Sequence, residues 1–402
     1  MSTATMRGLS LPRSEAIEVL VALGLSIGAA VSLGFSRFAY ALLLPPMRTS
    51  LHWTYVEAGG MNTANAAGYI FGSMFAAWFS KRLGIKNTFL WSMAVSAFAL
   101  VGSGLVDSYG ALATLRFVGG LSTATLFIVG ASLATAVNAG RSPSWSALLV
   151  AVYITGVGSG IVVSGLIVPP ILAHVGAAGW QLGWLWLGAL SFALMALAVP
   201  ALQAVPLQPG RDADALPVSE ALSLWPTFAA YAFFGAGYVS FMTFIIVLLQ
   251  QQGSSAATAA TFWVVLGAAS VVGTLAWGRL LKNVNGGKGL AVVSLVLLVG
   301  ALPVLVWPGL AAAFIMAIVF GGSFMAGPSA VTLMVRRLTA PHLATAAIGA
   351  MTVAFAVGQA AGPILAGYVS DLTGTVSAGL WTAPLLLVLA AVLAPLQRNR
   401  QS

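Results

Sequence analysis

An all-α integral membrane fold, with twelve transmembrane helices in two pseudo-symmetric six-helix bundles, is what this sequence predicts. Three observations carry it: a shortage of charge, a recurrence of long apolar runs, and one long polar break in the middle. Of 402 residues, 59% are hydrophobic and only 6% are charged, where a soluble domain carries roughly 25% charged residues. The mean hydropathy is +0.99. A soluble sphere of this size cannot hide so much apolar surface, which excludes a water-soluble enzyme.

Apolar runs long enough to cross about 30 Å of hydrocarbon recur between short polar breaks. They fall near 18–44, 56–79, 88–106, 111–137, 146–173 and 181–203, then near 225–249, 257–281, 289–307, 310–334, 344–369 and 378–396. The first run is preceded by Arg7, Arg13, Glu15 and Glu18 and has no small-residue cleavage site, so it reads as a retained span and not a signal peptide. The polar stretch between the sixth and seventh runs holds Pro206, Pro209, Arg211, Asp212, Asp214, Pro217 and Glu220. The expected organisation is an N-terminal bundle over 1–203, a cytoplasmic linker over 204–224 and a C-terminal bundle over 225–402.

Charge assigns the sides. With the N-terminus inside, 14 of the 17 basic residues fall in inside segments and only Arg48 falls in an outside loop. That asymmetry places both termini in the cytoplasm, and it explains the net charge of +9 without nucleic acid. The remaining two, Arg37 and Arg116, lie inside spans. Glu57, Asp107 and Asp371 fall at outer ends of spans, and no carboxylate falls near the middle of one. The absence of Cys and the scattering of three His argue against a thiolate or zinc centre, so no cofactor, metal or catalytic residue is expected.

The loop after the second run reads Ala77-Trp-Phe-Ser-Lys81-Arg82-Leu-Gly84-Ile-Lys86. At the matching place in the second half the chain reads Gly278-Arg-Leu-Leu-Lys282-Asn-Val-Asn-Gly286-Gly287-Lys288. Both set a small residue, a basic residue four on, then Gly and Lys, which implies a duplicated unit. These loops resemble the G-x-L-x-D-R-x-G-x-K motif of the major facilitator superfamily. Lys81 and Lys282 stand where that family usually has Asp, so the role given to that Asp does not carry over. The lysines are expected to act as topology signals and to meet acidic lipid headgroups or helix C-termini. Arg116-Phe-Val-Gly-Gly120 resembles the family's R-x-x-x-G, and Gly358-Gln-Ala-Ala-Gly362-Pro363-Ile-Leu-Ala-Gly367 matches G-x-x-x-G-P-x-x-x-G in full; Gly156 and Gly160 match their motif only in part, without its Pro. Within the superfamily, Gly34-Phe-Ser-Arg37-Phe-Ala-Tyr40 with Leu44-Pro45, and Gly235-Ala-Gly237-Tyr238, look like the YbfB/YjiJ-type transporters. The resemblance implies alternating access and is silent on substrate.

Candidate chemistry sits on the intramembrane polar and aromatic residues. Arg37 lies eight positions before Pro45, about 12 Å below the outer end of its span, and Arg116 lies about 9 Å below the outer surface. An Arg in a bilayer costs at least about 2.5–3.5 kcal/mol and needs a cavity or a partner. A substrate anion would serve, gripped bidentately; the alternative is that each Arg snorkels or ties down carbonyls near a broken helix end. Asn62, Asn65 and Tyr69 share one helical face, where the amides suit either interhelical hydrogen bonding or ligand. Tyr40, Tyr153, Tyr238, Trp263, Phe324 and Gln359 complete a candidate pocket of aromatics with few polar fixing points. Glycine pairs Gly24/Gly28, Gly68/Gly72, Gly156/Gly160 and Gly358/Gly362 have small-xxx-small spacing for close helix approach, and would double as sliding surfaces in a rocking molecule.

The expected function is secondary active transport of a small organic anion, above all a carboxylate. The alternative is proton-driven efflux of a neutral or amphiphilic metabolite or drug, with Arg116 structural. Expected partners are the substrate, protons or a counter-anion, and the lipid bilayer, with the chain as a monomer and no nucleic acid.

Overall fold

The computed structural model describes residues 13–137, 142–206, 216–340 and 342–397. Arg7, Arg141, Arg211, Asp212, Asp214, Arg398 and Arg400 lie outside the described residues, as do residues 207–215 of the linker. The first run begins as α1 (Arg13–Ala29), loosens into a π-helical segment (Ala30–Phe38) and continues as α2 (Tyr40–Ser50). Then follow α3 (Tyr55–Leu83), α4 (Ile85–Ser103), α5 (Tyr109–Ala136), α6 (Pro143–Val175) and α7 (Gly179–Ala204). After the short α8 (Val218–Ser223) come α9 (Trp225–Gln251), α10 (Ala256–Leu280) and α11 (Lys288–Val306). The chain ends with α12 (Leu310–Val319), α13 (Ala326–Leu338), α14 (Ala344–Thr373), α15 (Val376–Leu380) and α16 (Thr382–Leu393).

Among the described residues, ten helical stretches are long and apolar enough to cross a membrane. Two of the predicted spans fall short of that measure, for different reasons. The run at 56–79 lies within the 29-residue α3, but Asn62, Thr63 and Asn65 dilute its apolar content. It packs between α5 and α14 and so presents less surface to lipid. The run at 310–334 is broken: α12 stops at Val319, a turn occupies 320–325, and α13 resumes at Ala326. The indole of Trp277 in α10 donates to the freed carbonyl of Gly322 at 3.1 Å, so the break is satisfied by protein.

The helices of α1–α7 pack mainly on one another, as do those of α9–α16. The principal contacts between the two sets run along α3 with α14, α6 with α10 and α2 with α9. All four predicted glycine pairs work within a set. A Cβ on Gly358 would lie 1.8 Å from the Ala232 carbonyl of α9, and Gly72 meets α5, Gly28 meets α4 and Gly160 meets the π segment in the same way. None of those pairs therefore lies at a contact between the two sets. Gly59 and Gly367 lie at the α3–α14 contact, and Gly158, Gly165 and Gly267 at the α6–α10 contact.

The basic residues fall largely at helix C-termini, where the backbone dipole favours cations: Lys81 and Arg82 end α3, Arg279 ends α10, and Arg336 and Arg337 end α13. Arg337 donates to the carbonyls of Val284 (2.7 Å) and Lys282, holding the loop whose motif lacks its Asp. Arg48 lies in the last turn of α2 and not in a loop, because the helix runs through Pro45 and Pro46 to Ser50.

Candidate functional site

That extension also sets the depth of Arg37. It lies thirteen residues before Ser50, about 20 Å of helix rise rather than 12 Å. Arg37 lies in the last turn of the nine-residue π-helical segment, and π-helical irregularities recur at functional sites. Close packing fixes this segment: a Cβ on Gly34 would fall 2.6 Å from the Cα of Gly160 in α6.

Arg37 is 5% exposed, and its guanidinium sits 5.5 Å over the ring of Tyr69 from α3. Among the described residues it makes no hydrogen bond or ion pair. Tyr238 of α9 lies within electrostatic range of the same guanidinium, and of Tyr69. The Tyr238 hydroxyl accepts from Gln359 Nε2 of α14 at 2.8 Å, which leaves its own proton free to donate. Gln359 is fully buried, and its Oε1 has no partner. One cation without a hydrogen bond, one available hydroxyl proton and one unused amide oxygen thus lie near the contact between the two sets of helices, which Phe38 and Phe324 bridge at 5.4 Å.

The wall behind them is aromatic. Tyr231, Phe355, Tyr238 and Phe324 form a column of nearly parallel rings, with successive centroids 4.5, 5.7 and 5.9 Å apart. Phe38, the neighbour of Arg37, closes the column edge-on against Phe324 at 5.4 Å. The ring faces are therefore engaged with one another, and the column serves as a rigid apolar wall and not as an open stacking slot.

Arg116 is equally buried but occupied. It donates through Nη1 to the carbonyl of Ser36 and through Nη2 to Asn62 Oδ1 at 3.1 Å. It also lies over the rings of Tyr40 (4.7 Å) and Trp184 (5.7 Å). Asn62 passes the connection on to Thr243 of α9, donating to Oγ1 at 2.6 Å. Asn65 donates to the Arg116 carbonyl at 3.1 Å, while its Oδ1 has no partner. Both amides make the interhelical hydrogen bonds that their common face allowed.

The other candidates sit in helix interfaces. Tyr40 donates to the Ala58 carbonyl at 2.8 Å. The Tyr153 hydroxyl meets the carbonyls of Leu126 (3.3 Å) and Phe127 (3.2 Å). Trp263 donates to Ser164 Oγ at 3.2 Å, tying α10 to α6. All three are fully buried. Of the nine candidates, Arg37, Tyr238, Phe324 and Gln359 come together, with Arg116 and Asn65 just behind Arg37. Sequence reading passed over Tyr231, Phe234, Phe355 and Phe38. The first two share a face with Tyr238 at i, i+3 and i+7 of α9, a spacing that marks them. Separate from this cluster, a crevice of about 320 Å³ lies between α2, α6, α9 and α10, lined by Pro45, Pro169, Leu172, Ile246 and Ala259 among others, and it includes none of the candidates.

Long apolar helices, two of them irregular at mid-span, surround a buried polar cluster between two packed sets, which is the build of a multi-pass membrane protein. The chain belongs to the family described as uncharacterised MFS-type transporter YbfB, whose model matches residues 29–395. It is 25% identical over 283 residues, 67% of this chain and 68% of the relative, to the uncharacterized MFS-type transporter YceJ of Bacillus subtilis (strain 168). Solved structures share the fold at low identity. One is a bacterial homolog of the human lysosomal transporter Spinster in an inward-facing and occupied conformation (TM-score 0.69, 16% identity, 94% of this chain and 96% of that one). Another is the nucleoside transporter NupG (TM-score 0.68, 13% identity, 96% and 98%).

Proposed function

We propose that this protein is a secondary transporter of a small organic anion, above all a carboxylate, working by alternating access between two six-helix bundles over 1–203 and 225–402. The observation that carries the reading is Arg37: a buried cation without an acidic partner, facing the second set of helices. Burial of an unpaired charge is costly, and a charge retained in that state points to a counter-ion that arrives with the ligand. A carboxylate seated there takes the guanidinium fork on one side and the Tyr238 proton on the other, while Gln359 holds Tyr238 in place and offers Oε1 to a donor on the ligand. The aromatic column receives the organic part. The basic-residue asymmetry assigns the Ser50–Tyr55 turn and the end of α14 to the outside of a bacterial inner membrane.

The test is Arg37→Gln, read by ligand-induced thermal shift and by uptake into proteoliposomes with a panel of carboxylates. Affinity should fall by about 2–5 kcal/mol, as when one partner of a buried charge pair is removed, while the unliganded protein keeps or gains stability. Arg37→Lys should fall partway, because the charge stays but the planar fork is lost. An unfolded Arg37→Gln protein, or unchanged anion transport, would make Arg37 structural and defeat the anion reading.

A second reading draws on Arg116. Its guanidinium is held by protein acceptors and two rings, which leaves one cation rather than two for ligand. Efflux of a neutral or amphiphilic compound, driven by protons, fits that economy of charge. Transport of uncharged compounds that survives Arg37→Gln separates the two.

A further inference from the structure

The start of α3 is capped in two parts, and the second part comes from the other set of helices. Thr54 and Glu57 form a capping box. Thr54 Oγ1 accepts from Glu57 N at 3.1 Å and Glu57 Oε2 accepts from Thr54 N at 2.8 Å. Ala58 N already reaches the Thr54 carbonyl at 3.1 Å. Two donors remain at this helix end, the N–H groups of Tyr55 and Val56. Asp371, near the end of α14, takes both: Oδ1 accepts from Tyr55 and Oδ2 from Val56, each at 2.8 Å. The local sequence thus leaves a two-donor, dipole-favoured anion site that a carboxylate more than 300 residues away fills.

Three more contacts converge on Tyr55. Gln251 Nε2 at the end of α9 donates to its hydroxyl at 2.8 Å. Phe244 of α9 meets its ring edge-on at 6.1 Å. Arg48 lies over the same ring at 3.7 Å. Close approach is what allows Asp371 to reach: a Cβ on Gly367 would lie 2.4 Å from the Tyr55 carbonyl, and one on Gly59 would lie 2.5 Å from the Pro363 carbonyl. Glycines on both helices give a surface that separates and re-forms without interlocking side chains.

We propose that Asp371 and the first turn of α3 are the latch of the outer gate. The carboxylate docks when the outer ends of the two sets meet and must leave the Tyr55 and Val56 N–H groups each time they part. Asp371 is a positioning residue: it sets the balance between outward-closed and outward-open forms without touching ligand. The inference rests on alternating access and not on the charge of the substrate.

No substrate is needed for the test, because the chain lacks Cys. Thr63→Cys reports from beneath the latch, where Thr63 donates across the interface to the Ala360 carbonyl at 2.6 Å. Thr352→Cys reports from the opposite half of α14. Each is labelled with a membrane-impermeant maleimide, the first in right-side-out vesicles and the second in inside-out vesicles. Asp371→Asn keeps the shape but loses the charge, and should raise Thr63→Cys labelling on the order of tenfold, the size of a partly buried helix-terminus interaction. Labelling of Thr352→Cys should fall by the share of molecules that leave the outward-closed form. Gln251→Leu, which strips the Tyr55 hydroxyl of its donor, should move both in the same directions by less, and serves if Asp371→Asn does not fold. Unchanged Thr63→Cys labelling in the variants would overturn the latch. A rise there with no fall at Thr352→Cys would mean local fraying and would overturn it too, while leaving the substrate reading untouched.

Discussion

Arg116 Nη1 donates to the carbonyl of Ser36, the residue immediately before Arg37. One buried arginine therefore holds the backbone that presents the other. The π-helical segment carries carbonyls out of regular register, and a guanidinium with several donors is well matched to that defect. The two intramembrane arginines differ in partners more than in burial: Arg116 has two acceptors and two ring faces, and Arg37 has one ring.

From this difference follows a contrast in stability. Arg116→Gln leaves the Ser36 carbonyl and Asn62 Oδ1 buried without their donor, at roughly 1–3 kcal/mol, and forfeits cation–π contacts of about 0.5–2 kcal/mol. Arg116 Nε is buried without a partner, so relief of the buried charge offsets part of that loss, and the two abandoned acceptors decide the sign. The melting temperature in detergent should drop for Arg116→Gln and hold or rise for Arg37→Gln. A drop of equal size in both would remove the distinction between them.

Much of this was legible in the sequence. The run lengths and the basic asymmetry announce the helices, because hydrocarbon thickness leaves few alternatives. Tyr238 and Gln359 were legible as polar atoms amid apolar runs. Arg37 stood out for the same reason, but its depth was not, since Pro45 looked like a helix end and α2 runs on through it. The interruption at 320–325 was hidden because Gly321, Gly322 and Ser323 differ little from the small residues of any packed span. The ring column was hidden because it joins α9, α14 and the turn after α12, and its order is set by tertiary packing alone. The Asp371 cap joins residues 316 positions apart, and nothing local to either end predicts it.

Asn62 and Thr243 should be coupled. Their 2.6 Å hydrogen bond joins the two sets of helices, and interhelical hydrogen bonds in membranes average about 0.6 kcal/mol because the unfolded state in the membrane also finds partners. A double-mutant cycle with Asn62→Ala and Thr243→Val, measured by thermal or chaotrope unfolding in detergent, should return a value of that size. A coupling of zero would mean that the contact is absent from the dominant solution state.

Steric fit at the motif glycines gives a sharper expectation. A side chain on Gly358 would collide with the Ala232 carbonyl, a backbone atom that cannot rotate away, whereas Gly278 has nothing within 4 Å of its would-be Cβ. Gly358→Val should cost roughly 1–3 kcal/mol or more through forced helix separation. Gly278→Ala should be close to neutral. Comparable yields and melting temperatures for the two would contradict the packing of α14 on α9.

Sidedness is open to direct chemical reading. The basic residues place Gln208 and Ser108 on opposite sides of the membrane. In this Cys-free chain, single Gln208→Cys and Ser108→Cys variants should react with an impermeant thiol reagent from opposite faces of intact cells and inverted vesicles. Reaction of both from outside intact cells would reverse the assignment of the linker.

The last expectation separates ligand from fold at Tyr238 and Gln359. Tyr238→Phe removes the hydroxyl that Gln359 Nε2 meets at 2.8 Å, leaving a fully buried amide with neither end paired. Stability should fall by about 1–3 kcal/mol, the desolvation cost of the orphaned group. Gln359→Leu alone removes the amide and leaves the Tyr238 hydroxyl beside Arg37, so it should cost less. Combining Tyr238→Phe with Gln359→Leu removes both partners at once, and an apolar pair of similar shape should recover most of the stability lost in Tyr238→Phe. Binding should not recover, because the proton offered to the carboxylate beside Arg37 is gone. The double variant is thus expected to melt near the unmodified protein and bind a carboxylate ligand roughly tenfold more weakly, the loss of one charge-assisted hydrogen bond. Isothermal titration and thermal melts on the same preparations measure both quantities. If affinity returns together with stability, Tyr238 acts only through packing, and the ligand contact assigned to its hydroxyl is wrong.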